Sequence, residues 1–213
     1  MRIETDDDIG RGLDALVALD PRLGPVRAAA GPVPLRRSPP GFRSLASVIV
    51  SQQVSRASAE AIFGRLCCAV DPLTPPALLS AGEGVLVEAG LSRAKQRSLL
   101  ALCTALAEER LDLAALHDVP AEDAITRLTA LPGIGPWTAE VYLLVAAGHA
   151  DIFPAGDVAL QAAVGQALRL DARPDARNLA RLAESWCPWR SVAARLFWAY
   201  YRQMRGREAA PAA

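Results

Sequence analysis

The stretch DIFPAGDVAL, residues 151–160, brings one carboxylate to the start of a predicted helix. Proline and glycine before Asp157 predict a turn, and the apolar residues after it predict a helix. A carboxylate held there can stabilise a developing positive charge or activate a water molecule. The positive end of the helix dipole favours its ionised form. An ordinary helix N-cap also uses aspartate at this place, so the stretch alone leaves both roles open.

A second stretch, LPGIG at residues 131–135, lies between two predicted helices. Gly133 permits a positive φ, and Gly135 leaves no side chain in front of the helix that begins at Pro136. Backbone N–H groups and the positive end of that helix are then exposed together, which suits a phosphodiester. We expect Gly133, Gly135 and Thr138 to contact phosphate. A plain turn of a helical hairpin is the alternative.

The carbonyl groups of the same turn point away from the expected phosphate. They could hold a monovalent cation, K⁺ or Na⁺, between turn and phosphate. The expected ligands are the main-chain oxygens of Thr129, Leu131 and Ile134.

The remaining pattern predicts an all-α protein of eight to eleven helices in two lobes, residues 42–150 and residues 1–41 with 151–213. Alanine and leucine dominate, and β-branched runs are few. Serines at 55 and 92 are predicted N-caps. Residues 20–41 are rich in proline and glycine and predict an extended connection. Helices are also predicted at 9–19, from Phe42, and at 121–129, 136–147, 157–170, 175–186 and 190–205.

Composition narrows the class of protein further. The chain has 213 residues, 52% of them apolar, and a formal net charge of zero. The chain therefore has enough apolar residues to form a hydrophobic core, and its net charge gives it no overall positive electrostatic potential. Basic side chains cluster locally, at residues 36–56 and 93–97, and Lys95 is the one lysine among 23 basic residues. No apolar run reaches membrane-spanning length and the start is acidic, so we expect a cytoplasmic protein without a membrane partner.

Four cysteines stand at positions 67, 68, 103 and 187, and no CxxC pair exists. Their spacing suits neither a zinc site nor an iron–sulfur cluster. We therefore expect reduced thiols, and neither an iron–sulfur cluster nor an organic cofactor.

LPGIGPWTA and FPAGDVAL together resemble the HhH-GPD superfamily of DNA base-excision glycosylases, with a helix–hairpin–helix followed by a Gly/Pro-rich loop that ends in aspartate. Three further stretches are similar to the AlkA-type members: IVSQQVSRASAEAI, AGLSRAKQRSLLALCTAL and WCPWRSVAARLFW, at residues 49–62, 89–106 and 186–198. The resemblance runs from about residue 42 to 201. Larger AlkA proteins carry an N-terminal β-sheet lobe, for which this chain is too short, so it resembles the compact members.

The resemblance implies a monofunctional glycosylase that removes alkylated bases from damaged double-stranded DNA and acts as a monomer. Asp157 is the implied catalytic residue. Members that also cut the strand carry a lysine in the hairpin, where this chain has Trp137. The implied base pocket contains Trp137 and Trp198, with Val141 where larger relatives carry an aromatic residue. Gln53, or else Gln52, is the implied plug that fills the duplex after base flipping.

Alkylated purines carry positive charge and leave without a general acid, and no histidine or glutamate stands in LPGIGPWTA or FPAGDVAL to supply one. Trp186 and Trp189 are expected to pack between helices. Two alternatives stay open. One is a lyase-type or adenine-specific glycosylase, although the lysine and the four-cysteine cluster of those relatives are missing. The other is a non-catalytic DNA-binding hairpin module, for which a carboxylate at Asp157 has no use.

Overall fold

The computed structural model describes residues 1–206, which form α-helices grouped into two compact units. The terminal unit contains residues 1–37 and 148–206, and the central unit contains residues 38–147. The expected all-α class is confirmed. Within the described part, the one β-type pairing is an isolated bridge between Arg2 and His149. Residues 207–213 of the predicted second lobe lie outside the described residues.

The α-helices of the terminal unit are α1 Asp6–Leu19, α2 Leu23–Ala30, α10 Val158–Ala167, α11 Ala176–Ala183 and α12 Arg190–Arg205. The unit is built around the first half of α12, in which Ser191 to Ala199 are buried without interruption, as expected for a helix at the centre of a unit. Helices α1, α2 and α10 pack against it.

The α-helices of the central unit are α3 Phe42–Ser51, α4 Arg56–Ala69, α5 Pro75–Ala81, α6 Glu83–Glu88, α7 Arg93–Ala107, α8 Ala121–Thr129 and α9 Pro136–Tyr142. This unit has its own buried helix, α3, in which Ser44 to Val50 are all buried. Helices α4, α7 and α9 pack against it. Each fully buried leucine in such a core contributes roughly 1.5–3 kcal/mol.

Several predicted boundaries are confirmed. Ser55 and Ser92 cap α4 and α7, because each side chain accepts a hydrogen bond from the backbone N–H three residues on. The predicted helices 121–129 and 190–205 have the bounds of α8 and α12.

Other expectations are wrong. The connection predicted at 20–41 contains α2, whose Leu23, Val26 and Ala30 are buried; apolar spacing here prevails over Pro25, which the first turn tolerates. This helix helps to bring the α-helices of the described residues to twelve, more than predicted. The helix predicted at 136–147 changes at Leu143 into a π-helix, Leu143–Ala147. It ends, as expected, before Gly148, whose φ is +72°.

Candidate functional site

The hairpin of the central unit joins α8 to α9. Its turn closes with a hydrogen bond from the N–H of Ile134 to the carbonyl of Leu131 (3.2 Å). Gly135 is the N-cap of α9, in extended conformation and without a side chain to cap the helix. The first N–H groups of α9 therefore depend on partners other than a capping side chain.

The two glycines of the hairpin are needed for different reasons. Gly133 has φ +80°, and a Cβ atom there would lie 1.8 Å from the Oγ of Ser98 on α7. Gly135 has φ −88°, and a Cβ atom there would meet nothing within 4 Å. Gly133 is thus required by its backbone conformation and by packing inside the unit. Gly135 leaves open space in front of α9, as the phosphate hypothesis requires.

The residues that follow the hairpin differ in exposure. Thr138 is buried, and its hydroxyl accepts a hydrogen bond from Gln52 (2.8 Å). The side chain of Thr138 is therefore engaged inside the central unit. Trp137 is half-buried, whereas Val141 is fully buried.

The loop after α3 carries the two candidate plug residues, and their environments differ. Gln52 is half-buried and donates from Nε2 to the carbonyl of Gly133 (3.1 Å) as well as to Thr138. Gln53 is exposed and has φ +55°. The structure thus brings Gln52, Gly133 and Thr138 together and leaves the side chain of Gln53 at the surface.

Lys95 is 8% exposed, and its Nζ donates to the carbonyl of Val50 near the end of α3 (2.8 Å). Burial lowers the pKa of this amine. Its side chain is engaged in holding α3 to α7 within the central unit. Among the described residues, no three His, Cys, Asp or Glu side chains are grouped closely enough to hold a metal ion.

Asp157 lies in the terminal unit and caps α10. Its Oδ1 accepts hydrogen bonds from the N–H groups of Ala159 (2.9 Å) and Leu160 (3.0 Å), and the residue is 7% exposed. Its own N–H donates to the carbonyl of Pro154 (2.9 Å), which closes the predicted turn. The capping role is therefore present. It also fixes one carboxylate oxygen rigidly, which a catalytic carboxylate needs.

Side chains hold the loop before Asp157, and sequence reasoning missed two of them. The hydroxyl of Ser191 lies 2.6 Å from the carbonyl of His149 and accepts from the N–H of Ile152 (3.2 Å). Gln161 donates to the carbonyl of Ala155 (3.0 Å) from the first turns of α10. A polar residue four positions after Asp157 on a largely apolar helix was the available signal for Gln161.

Aromatic residues support the same loop. Trp186 packs against Phe153 and Phe197, with ring centroids 5.4 and 5.1 Å apart, and its indole N–H donates to Asp20 (3.0 Å). Trp189 packs against the backbone of α1 at Gly12. Both tryptophans therefore have the packing role predicted for them. Trp198 is 3% exposed, and its indole N–H has no hydrogen-bond partner among the described residues.

Comparisons with known proteins agree with this arrangement. A family profile described as HhH-GPD superfamily base excision DNA repair protein matches residues 46–189. The chain belongs to the HhH-GPD superfamily of base excision DNA repair proteins, as its hairpin and Asp157 loop indicate.

Relatives and solved structures extend the comparison. The chain is 34% identical to a probable bifunctional transcriptional activator/DNA repair enzyme AlkA from Mycobacterium tuberculosis, over 92% of this chain and 40% of that protein. It thus spans about two fifths of that relative's length. A crystal structure of DNA-3-methyladenine glycosidase from Bacillus halodurans is 30% identical, with a TM-score of 0.80, and covers 99% of this chain and 95% of that one. Schizosaccharomyces pombe 3-methyladenine DNA glycosylase Mag1, in complex with abasic DNA, shares the fold, with a TM-score of 0.82, 24% identity and coverage of 90% and 95%.

No helix within the described residues is both long enough and apolar enough to span a membrane.

Proposed function

We propose that this protein is a monofunctional DNA glycosylase that removes alkylated bases, such as 3-methyladenine and 7-methylguanine, from double-stranded DNA. The observation that carries the proposal is Asp157, a buried carboxylate whose Oδ1 is fixed by two backbone N–H groups within a motif of the family. The names of relatives that match most of the chain, AlkA and DNA-3-methyladenine glycosidase, support alkylated bases as substrates.

In the proposed reaction, the bond between the base nitrogen and C1′ of deoxyribose breaks, and its electron pair leaves with the base. Positive charge then grows on the sugar, as in glycoside hydrolysis. The carboxylate of Asp157 stabilises that charge. A water molecule attacks C1′ and loses a proton, which the carboxylate can accept. An alkylated purine leaves as a neutral base because it already carries positive charge, so the reaction needs no general acid.

The strand stays uncut in this proposal. Trp137 has no nucleophilic group for a Schiff base with the sugar. The one lysine of the chain, Lys95, is buried and bonded to the carbonyl of Val50. A lyase-type reaction would require its release from the α3–α7 contact.

Binding follows from the hairpin. A phosphate of the duplex would approach the N–H groups at the start of α9, through the space that Gly135 leaves open. The donor set for a monovalent cation, the carbonyl oxygens of Thr129, Leu131 and Ile134, fits a hard ion. The carbonyl of Leu131 accepts from Ile134, and a carbonyl oxygen has a second lone pair for the ion. Such a cation would neutralise part of the phosphate charge.

The flipped base would be held by an aromatic side chain. Trp137 is half-buried in the central unit, and a cationic base on the electron-rich face of an indole gains about 0.5–2 kcal/mol. Gln53 is the proposed plug, because its side chain is exposed whereas that of Gln52 is hydrogen-bonded within the unit. We expect the protein to act as a monomer.

The test is incubation of the protein with methylated duplex DNA, followed by chromatography of the released free bases. We expect alkylated purines in the soluble fraction and intact strands until alkali is added. Borohydride trapping of a covalent enzyme–DNA adduct would instead indicate a lyase. DNA binding without any released base would indicate a non-catalytic module and would end the proposal.

A further inference from the structure

The side-chain amide of Gln52 joins the loop after α3 to the hairpin, two parts of the central unit to which the proposed function assigns DNA contacts. Its nitrogen donates to the carbonyl of Gly133 (3.1 Å) and to the hydroxyl of Thr138 (2.8 Å). An amide nitrogen has two N–H donors, and both are used here. Gln52 therefore binds the turn of the hairpin and the first turn of α9 at once.

The residue after Gln52 is held in a costly conformation. Gln52 has φ −57° and ψ 129°, and Gln53 has φ +55°. The φ of Gln53 lies in the left-handed region, where glycine is favoured. A glutamine there costs about 1–2 kcal/mol, and such a conformation persists only where neighbouring contacts hold it. The bonds of Gln52 are contacts of that kind, one residue from Gln53.

Helix α7 supports both parts from within the same unit. Lys95 donates to the carbonyl of Val50, two residues before Gln52. Ser98, one turn further along α7, packs against Gly133 so closely that no Cβ atom would fit. The loop and the hairpin thus share one buried support, and Gln52 links them at the surface.

We propose that Gln52 is a positioning residue, which fixes the loop that carries Gln53 to the phosphate-binding hairpin. A phosphate held at α9 would then set where Gln53 enters the duplex. The inference rests on the proposed function, since it assigns Gln52 a part in base flipping. We expect such a link to speed base release when the lesion is paired with an opposite base. Its effect should be much smaller when no base lies opposite the lesion.

The experiment compares single-turnover base release from two duplexes, one with the lesion opposite a normal base and one with the lesion opposite an abasic site. Gln52→Ala is expected to lower the ratio of the paired rate to the unpaired rate about tenfold, since it removes two hydrogen bonds. Gln96→Ala is the matched control. Gln96 is also half-buried and donates to a backbone carbonyl, that of Leu91 (2.7 Å), which belongs neither to the hairpin nor to the loop after α3. Its ratio should stay within about twofold of the wild-type ratio.

A double-mutant cycle tests the link itself. Thr138→Val removes the acceptor while keeping the shape of the side chain. The double variant should lower the paired/unpaired ratio by less than the sum of the two single effects, taken as free energies. The reason is that the two substitutions remove the same hydrogen bond. Fluorescence of 2-aminopurine beside the lesion gives a second readout, which should show less unstacking with Gln52→Ala.

Three outcomes would overturn the inference: equal slowing on both duplexes, fully additive effects, or unstacking unchanged by Gln52→Ala. Failure of the proposed function looks different, since the wild-type protein would then release no base from either duplex. In that case the 2-aminopurine signal of the bound duplex still decides whether Gln52 controls insertion.

Discussion

The hairpin of the central unit and the Asp157 loop of the terminal unit are both turns rich in glycine and proline that lead into a helix. The hairpin offers main chain, with Gly135 bare at the start of α9. The Asp157 loop offers one carboxylate and is held by side chains from α10 and α12. Main-chain binding at the hairpin depends on the absence of a side chain at Gly135, whereas catalysis depends on the presence of the Asp157 carboxylate. Substitutions in the Asp157 loop should therefore lower the rate of base release, and substitutions in the hairpin should lower duplex affinity or stability.

Asp157→Asn should give the largest effect. Base release is expected to fall about a thousandfold, because the neutral amide cannot stabilise the sugar cation or accept a proton. Asparagine is as good an N-cap as aspartate, so thermal stability and duplex binding should change little. Single-turnover release, duplex titration and thermal unfolding measure the three quantities.

Asp175→Asn is the matched control for that substitution. Asp175 also caps a helix with its carboxylate, since it accepts from the N–H of Asn178 at the start of α11 (2.7 Å), but it is exposed. Parallel loss of binding and activity in Asp157→Asn would make Asp157 a structural residue only.

Gly133→Ala should be the most destabilising change in the hairpin. The new Cβ would overlap Ser98, and alanine resists a φ of +80°. Together these effects are expected to cost about 3 kcal/mol of unfolding free energy, measured by urea titration. Gly135→Ala, with open space and a negative φ, should change stability by less than about 0.5 kcal/mol. Equal losses for the two variants would contradict the distinction drawn between these glycines.

Ser191→Ala tests the side-chain support of the Asp157 loop. Ser191 is fully buried, and its loss leaves the carbonyl of His149 and the N–H of Ile152 without this partner. We expect a loss of about 2 kcal/mol in stability, together with slower base release at unchanged duplex affinity. Ser185→Ala is the control, because the exposed Ser185 makes a similar bond to the carbonyl of Leu182 (2.9 Å). Its effect should stay below about 0.5 kcal/mol.

Gly135→Glu is expected to have the smallest effect, on affinity alone. A side chain in front of α9 should weaken binding of lesion-bearing and plain duplexes alike, by about tenfold. The loss of one phosphate contact should also flatten the log–log salt dependence of binding by about one unit. Gly84→Glu is the control, because it adds the same charge at a different glycine of the central unit that also has open space around it. Loss of lesion binding with plain-duplex binding intact would place the hairpin in the base pocket instead.

Local signals made much of the fold predictable. Serine caps, Pro136 at the first position of α9 and the apolar spacing of α12 act within a few residues, and the predicted elements follow them. The errors arose where burial decides. The proline-rich region 20–41 contains α2 because Leu23 and Val26 are buried. Nothing local predicted the π-helix that continues α9.

The candidate site was predictable to the level of motifs, but not of their contacts. The sequence predicted the positive φ of Gly133 and the open space at Gly135, but it did not predict that Ser98, 35 residues earlier, packs against Gly133. Gln52 and Gln53 are likewise adjacent and chemically identical. Their difference comes from bonds to Gly133 and Thr138, which lie more than 80 residues away along the chain.

Because Lys95 is buried, proteolysis at this residue can measure how often the central unit opens. A lysine-specific endoprotease has one side chain to recognise in all 213 residues, and that side chain is bonded to the carbonyl of Val50. Cleavage therefore requires the α3–α7 contact to separate first, so its rate follows the opening equilibrium of the central unit. Protection of that single peptide bond on addition of DNA would measure how far the bound duplex stabilises the support beneath the hairpin.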